Sequence, residues 1–149
     1  MAIKTVNITN KKAGYEFHIL QKFAAGISLN GTEVKSVREG NANINDAYCL
    51  FIDEELFIKG MNIGKWKQGG HYNHDPLRLR KLLLRRIELR KLTSKAAERG
   101  FSIVPLRVFI SETGYVKVEI AIARGKKDFD KRESIKERDV ERSLRRNEE

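Results

Sequence analysis

Alternating apolar and polar positions are the clearest pattern in this chain, and they predict β-strands. The alternation over 106–122, interrupted by the turn residues 111–114, predicts a β-hairpin. A second hairpin is predicted over 48–58, with its turn at 53–55. A half-buried strand is predicted over 15–19, where Tyr, Phe and Ile alternate with more polar residues.

Turn and capping residues divide the rest of the chain. Asn30-Gly31 predicts a tight turn, because both residues tolerate positive φ, and a further strand is predicted from Thr32 onward. Residues 65–75, which hold two glycines and two histidines, indicate a flexible loop. Asp75-Pro76 is typical of a helix start, and a bent helix or two consecutive helices are predicted from there to Gly100.

Several short strands with closely spaced turns and one helical insertion favour a mostly β fold. We predict a small antiparallel OB-like β-barrel with short inserted helices, rather than a parallel βαβ sheet. Residues 1–125 would form this domain. Residues 126–149 carry 17 charges on 24 residues and few large apolar groups, so we predict a charged C-terminal tail that is disordered when free.

The net charge of +10, from 30 Lys and Arg against 20 Asp and Glu, is concentrated in one segment. Residues 77–99 hold nine cations and two acids, a net +7, whereas each other part of the chain is near +1. This clustering favours a surface that binds nucleic acid over an ordinary solvated face, and it favours nucleic acid over membrane. The cations are Arg78, Arg80, Lys81, Arg85, Arg86, Arg90, Lys91, Lys95 and Arg99.

Candidate catalytic and metal-binding residues are few. Cys49, the single cysteine, lies in an apolar strand without an assignable partner, which favours a small buried residue over a nucleophile. His71, His74 and Asp75 form the best metal candidate, but a helix cap explains Asp75 better. We therefore expect no enzyme activity, no metal and no cofactor, and a reducing cytoplasm as the location. Trp66 is left with two roles, stacking on a base or anchoring the core.

Three longer runs of sequence form a specific set. They are GTEVKSVREG followed by NANI at 31–44, DPLRLRKLLL at 75–84, and ARGKKDFDKR at 123–132. Together these runs resemble the SmpB (SsrA-binding protein) family. The similarity extends from about Asn10 to about Arg138, in the order and spacing of the family. Ala24 departs from it, because many members carry Glu there.

The resemblance implies an RNA-binding role in bacterial trans-translation. The barrel would bind the tRNA-like domain of tmRNA as a monomer, without a membrane or cofactor, and deliver it to stalled ribosomes. The tail would occupy the decoding centre and the empty mRNA channel of the small subunit. The nascent peptide is then tagged for degradation and the ribosome is released. The alternative is a general single-stranded RNA-binding or ribosome-associated OB-fold protein.

Candidate site residues follow from the resemblance together with side-chain chemistry. Leu83 would either contact tmRNA or, as its apolar side chain favours, pack in the core and orient the neighbouring cations. Glu33 would accept a hydrogen bond from RNA or pair with Lys35 or Arg38. The RNA-binding candidates are Asn10, Lys11, Lys12, Glu33, Lys35, Arg38, Arg78, Arg80, Lys81, Leu83, Arg85 and Arg86. The ribosome-engaging candidates are Lys126, Lys127, Phe129, Asp130, Lys131, Arg132, Ile135, Lys136 and Arg138.

Overall fold

The computed structural model describes residues 6–126, so the predicted tail beyond Lys126 lies outside the described residues. Nine strands and three α-helices occur in this part of the chain. The strands are β1 (Asn7–Thr9), β2 (Phe17–Ile27), β3 (Ala42–Asn43), β4 (Tyr48–Ile52), β5 (Glu55–Lys59), β6 (Asn62–Ile63), β7 (Arg80–Leu83), β8 (Phe101–Ile110) and β9 (Val116–Gly125). The helices are α1 (Ala13–Glu16), α2 (Gly31–Arg38) and α3 (Arg86–Ala96), and a 3₁₀ helix spans Lys67–Tyr72.

Six of the strands close into an antiparallel ring. Their order is β8-β4-β5-β7-β2-β9, and β9 pairs with β8 to complete the barrel. The strand β1 pairs with residues 107–109 near the C-terminal end of β8. The short strands β3 and β6 form a separate pair. This arrangement confirms the prediction of a mostly β, OB-like antiparallel barrel with short helices.

Both predicted hairpins are present because their signals are local. In the β8–β9 hairpin, Val108, Val118 and Ile120 are fully buried, as their alternation predicts. In the β4–β5 hairpin, Asp53 and Glu54 both have positive φ, at 48° and 66°. A two-residue turn of this kind matches the natural twist of the strands that it joins.

Residues 31–38 form helix α2, so the prediction of a strand from Thr32 is wrong. Asn30 precedes the helix, and Glu33 Oε1 accepts a hydrogen bond from the Asn30 backbone N–H at 2.8 Å. This is half of a capping box, which satisfies a backbone donor that a new helix leaves free. Val34 and Val37 are three residues apart, which suits one helix face, and Val37 is fully buried.

The basic stretch is also only partly helical. The predicted helix from Asp75-Pro76 to Gly100 is wrong over 75–85, where residues 80–83 form β7 between β5 and β2 and the remainder is not helical. The helix α3 begins at Arg86 and ends at Ala96, and Gly100, with φ of 89°, lies in the turn before β8. Pairing with two distant strands therefore overrides the helical pattern of the local sequence.

Two other predicted segments differ in part from those in the structure. The strand predicted over 15–19 begins at Phe17 and continues through Gly26 to Ile27, after the single turn of α1. The predicted loop 65–75 contains the 3₁₀ helix. The core fills the barrel and the space under α2 and α3, and its fully buried side chains include Ile44, Leu56, Ile58, Met61, Ile63 and Leu92. Within residues 6–126, no helix has the length and apolar character needed to cross a membrane.

Candidate nucleic-acid interface

A buried ion cluster joins α2 to the basic segment. The Glu33 carboxylate and the Arg80 guanidinium are both inaccessible to solvent, and Arg80 Nε donates to Glu33 Oε2. Arg78, whose side chain is about one-third exposed, donates through Nη2 to Glu33 Oε1 at 2.7 Å. Arg80 also donates to the carbonyl oxygens of Met61 and Pro76, at 2.6 and 3.2 Å. The cluster thus fixes the segment that leads into β7.

This geometry corrects the assignment of two candidate residues. Glu33 was expected to contact RNA or to pair with Lys35 or Arg38, but its partners are Arg78 and Arg80, 45 and 47 residues away. Neither Glu33 nor Arg80 presents any surface, so the prediction that they contact RNA is wrong for both. Their role is to hold the basic segment against α2.

The hydrogen bonds of this cluster lower the pKa of Glu33. Burial raises the pKa of Glu33, but hydrogen bonds from Arg78, the Asn30 backbone and Arg80 outweigh burial and hold the pKa below its ordinary value. Burial lowers the pKa of Arg80, and Glu33 opposes that effect. Glu33 is therefore ionised in the folded protein at neutral pH.

The depressed pKa makes folding stability depend on pH in a defined direction. A carboxyl whose pKa is lower in the folded state stabilises that state fully above its unfolded value, about 4.3. The contribution is lost as pH falls through the lower folded value. We expect the free energy of unfolding to fall more steeply below about pH 5 in the native chain than in a Glu33→Gln variant. Urea unfolding over a pH series measures both slopes, and equal slopes would refute the assignment.

Leu83 lies in an exposed groove rather than in the core. Its neighbour Leu82 is buried, whereas Leu83 is 51% exposed, as alternation along β7 requires. Leu83 pairs with Gly26 of β2, where an added Cβ would lie 3.3 Å from the Leu83 Cβ. The interpretation of Leu83 as a core residue is therefore wrong, and the apolar side chain is available to a ligand.

The Leu83 groove joins an apolar floor to positive charge. Its lining residues come from β2, β7, β9 and the start of α3, and they are Ala24, Leu83, Leu84, Arg85, Glu88 and Lys117. Arg85 is 82% exposed and its Nε lies 3.3 Å from Glu88 Oε1. Glu88 is only 18% exposed, but it engages the guanidinium through Nε alone, so the Nη donors of Arg85 remain available to a phosphate. The groove can thus hold a base against Leu83 and phosphates against Arg85 and Lys117.

Helix α3 continues the positive surface. Arg86, Arg90 and Lys91 are exposed and have no ion-pair or hydrogen-bond partner within residues 6–126. A second groove between α3 and the β4–β5 turn is lined by Glu54, Arg86, Leu89, Arg90, Thr93 and Ser94. Guanidinium groups without internal partners suit phosphate oxygens.

The candidates near the N-terminus occupy a second place. Asn10 Nδ2 donates to the Pro105 carbonyl oxygen at 2.9 Å, and Asn10 Oδ1 accepts from the Lys12 backbone N–H at 3.1 Å. Lys12 Nζ lies 2.8 Å from Asp46 Oδ1 on the surface. Asn10 therefore fixes the chain between β1 and α1, and Lys11 and Lys12 are presented beside it.

The remaining described candidates lie on or near α2 and on β7. Lys35 Nζ is 3.9 Å from the centre of the Trp66 ring, and Arg38 Nη2 donates to the Gly114 carbonyl oxygen at 3.4 Å. Lys81 pairs with Glu55 at 3.0 Å. The described RNA-binding candidates thus lie just before α1, on α2, and on the segment from Arg78 to Arg86, and the Glu33 cluster joins the last two of these places. Of the ribosome-engaging candidates only Lys126 is described, and the other eight lie outside the described residues.

Two of the three candidate metal ligands form hydrogen bonds within the protein, and burial disfavours the reactive form of the candidate nucleophile. His74 is buried, with Nδ1 2.8 Å from Thr32 Oγ1 and Nε2 2.8 Å from the Ile63 carbonyl oxygen, so both ring nitrogens are engaged. Asp75 Oδ1 accepts from the Leu77 backbone N–H at 3.0 Å. Within the described range, no three His, Cys, Asp or Glu side chains are grouped to hold a metal ion. Burial raises the pKa of Cys49, which disfavours its nucleophilic thiolate form.

Comparison with known proteins settles the family. The family model described as SmpB protein matches residues 7–149 of this chain. The chain belongs to the SmpB family. Among SmpB relatives, the SsrA-binding protein of Cytophaga hutchinsonii is 56% identical over 144 residues, covering 97% of this chain and 94% of the relative. That of Christiangramia forsetii is 46% identical over 142 residues, covering 95% and 90%.

A solved structure shares the SmpB fold described above. A chain of the structure reported as "tmRNA-SmpB: a journey to the center of the bacterial ribosome" is 39% identical, with a TM-score of 0.69. The alignment covers 87% of this chain and 94% of the solved one. The barrel and its helices are therefore those of an SmpB protein.

Lys117 is a groove residue that the sequence did not single out, whereas Ala24, also in the lining, was noted there only as a departure from the family pattern. Lys117 lies between the buried Val116 and Val118, so alternation alone places it on the outer face. What the sequence does not reveal is that β2 lies between β7 and β9, which brings Lys117 to the same groove as Leu83.

Proposed function

We propose that this SmpB-family protein binds the tRNA-like domain of tmRNA and delivers tmRNA to stalled ribosomes. The proposal rests on relatives named SsrA-binding proteins, which are 46% and 56% identical to this chain over nearly its full length. The chain acts as an adaptor rather than an enzyme, in the cytoplasm where translation occurs. The nascent peptide is tagged for degradation and the ribosome is released.

The Leu83 groove is the part of the barrel that we assign to tmRNA. A folded RNA offers phosphates, 2′-hydroxyls and unstacked loop bases to a protein. Leu83 supplies an apolar contact for such a base, and Arg85 and Lys117 supply charge beside it. The cations of α3 extend the phosphate contacts, which predicts binding that weakens steeply as salt rises.

We assign the ribosomal step to residues 126–149, the proposed tail. Lys126 leaves the barrel beside α1, since its backbone N–H donates to the Glu16 carbonyl oxygen at 2.8 Å and its Nζ to the Gly14 carbonyl oxygen at 3.0 Å. The tail would then enter the decoding centre and the empty mRNA channel. Its dense mixed charge suits a segment that folds only in contact with RNA.

A gel-shift titration tests the binding step. Full-length protein is titrated into labelled tmRNA and into a control tRNA at several salt concentrations. We expect tighter binding to tmRNA, with affinity for both RNAs falling as salt rises. Equal affinity for the two RNAs would contradict the proposal and support a general RNA-binding protein instead.

Leu83 is expected to contribute to tmRNA affinity without contributing to stability. Fully covering an exposed leucine side chain is worth about 1.5–3 kcal/mol; because Leu83 is 51% exposed, binding can cover only about half of that, and Leu83→Ala should weaken tmRNA binding roughly 3- to 13-fold. Because Leu83 is exposed, the free energy of unfolding should change little. The matched control is Ile87→Ala on α3, which removes a side chain that is 63% exposed and outside the groove. Equal effects of the two substitutions on tmRNA affinity would contradict the assignment of the groove.

A further inference from the structure

The loop between β6 and β7 is held in a fixed shape at its base. Asn73 Oδ1 accepts from the Trp66 backbone N–H at 3.1 Å, and Asn73 Nδ2 donates to the Trp66 carbonyl oxygen at 2.6 Å. The adjacent His74 is buried and bonded to Thr32 and Ile63. These contacts close the loop over residues 66–73 and tie its end to α2 and β6.

Trp66 connects the base of the loop to α2. Its ring is half-buried, and the Lys35 ammonium group from α2 lies 3.9 Å from the ring centre, which is a favourable cation–π distance. Gly69 packs against the base as well, because an added Cβ there would lie 2.8 Å from Asn73 Nδ2. The contacts at the base of the loop therefore fix its shape before any ligand binds.

The tip itself combines an exposed aromatic ring with positive charge. Tyr72 is 92% exposed, the highest value among the exposed large hydrophobic residues of the described chain. Lys65 and Lys67 are exposed and have no ion-pair or hydrogen-bond partner in the described part of the chain, and His71 is exposed beside Tyr72. No Asp or Glu occurs in the 19 residues 56–74. Such a surface complements a polyanion that carries exposed rings.

We propose that the tip of this loop binds an unpaired nucleotide of RNA, with the base stacked on Tyr72 and its phosphates against Lys65 and Lys67. The base must be unpaired, because the faces of bases in a duplex are covered by their neighbours. None of the residues that line the Leu83 groove belongs to the loop, so this is a second RNA contact and goes beyond the proposed function.

A comparison of single-stranded and duplex RNA tests the loop contact. The probes are a single strand of roughly 12 nucleotides, within the usual site size for such contacts, and a duplex of the same length. Binding to the full chain is followed by anisotropy of the labelled RNA and by the fluorescence of Trp66, the only tryptophan. Loss of one stacked base is worth about 1–3 kcal/mol, so Tyr72→Ala should weaken single-strand binding roughly 5- to 150-fold.

Matched variants separate stacking from charge and from general damage. Tyr72→Phe keeps the ring and should bind the single strand as the native chain does. Tyr115→Ala removes another exposed ring, on the β8–β9 turn, and should leave single-strand affinity unchanged. The duplex should bind Tyr72→Ala and the native chain equally.

Three results would overturn the loop contact. They are unchanged single-strand affinity in Tyr72→Ala, an equal loss on the duplex, and a Tyr72→Phe variant as weak as Tyr72→Ala. The outcome is independent of the tmRNA titration. A chain without preference for tmRNA that still depends on Tyr72 for single strands would contradict the proposed function and support the loop contact.

Discussion

Replacing Glu33 with alanine is expected to lower the free energy of unfolding by about 3–5 kcal/mol. The substitution removes the carboxylate that hydrogen-bonds the buried Arg80 guanidinium, and it leaves Arg78 without its ion-pair partner. Domains of this size are stabilised by only about 5–15 kcal/mol in total. Urea unfolding followed by Trp66 fluorescence or circular dichroism measures the loss.

Glu55→Ala is the matched control for this substitution. Glu55 also pairs with a cation of β7, Lys81, at 3.0 Å, but the Lys81 and Glu55 side chains are 41% and 51% exposed. Exposed pairs contribute about 0–1 kcal/mol, so the control should be nearly neutral. If Glu33→Ala costs no more than Glu55→Ala, the Glu33 cluster does not stabilise the fold as described.

Deleting residues 127–149 is expected to abolish peptide tagging while tmRNA binding persists. The deletion keeps Lys126 and its two hydrogen bonds to the barrel. It removes eight cations and eight acids, so the net charge stays at +10 and long-range attraction to RNA is preserved. The comparison pairs a tmRNA gel shift with a tagging assay on stalled ribosomes.

The deletion also separates the two halves of the proposed function. Loss of tmRNA binding in the truncated chain would show that the tail belongs to the tmRNA site. Full tagging by the truncated chain would show that the tail assignment is wrong. An Ile87→Ala full-length protein, altered on α3 at an exposed position outside the Leu83 groove, serves as a variant in which both activities should survive.

The sequence predicted those parts of the fold whose signals are local. The β4–β5 and β8–β9 hairpins depend on alternation and on a short turn, and both were found where they were expected. The helix α2 was missed although Asn30 and Glu33 have the spacing of a capping box, because Asn30-Gly31 also suits a hairpin turn. Residues 80–83 were missed because their pairing with β5 and β2 involves strands distant in sequence.

The candidate RNA-binding site was likewise predicted in part from the sequence. Clustering of cations in 77–99 indicated an RNA-binding surface, and the resemblance to SmpB singled out Leu83. The sequence did not show that Arg80 points inward to Glu33 while Leu83 points outward, since a helix and a strand orient alternate residues differently. Which basic residues meet RNA and which hold the fold thus depends on the tertiary pairing of β7.

A reconstituted translation reaction tests the central claim most directly. Ribosomes are stalled on an mRNA that lacks a stop codon, in a system without any SmpB-family protein, and tmRNA is added with or without the full-length chain. We predict that the labelled nascent peptide acquires the tmRNA-encoded tag and leaves the ribosome only when the chain is present. Tagging no greater than with tmRNA alone would contradict the proposed function.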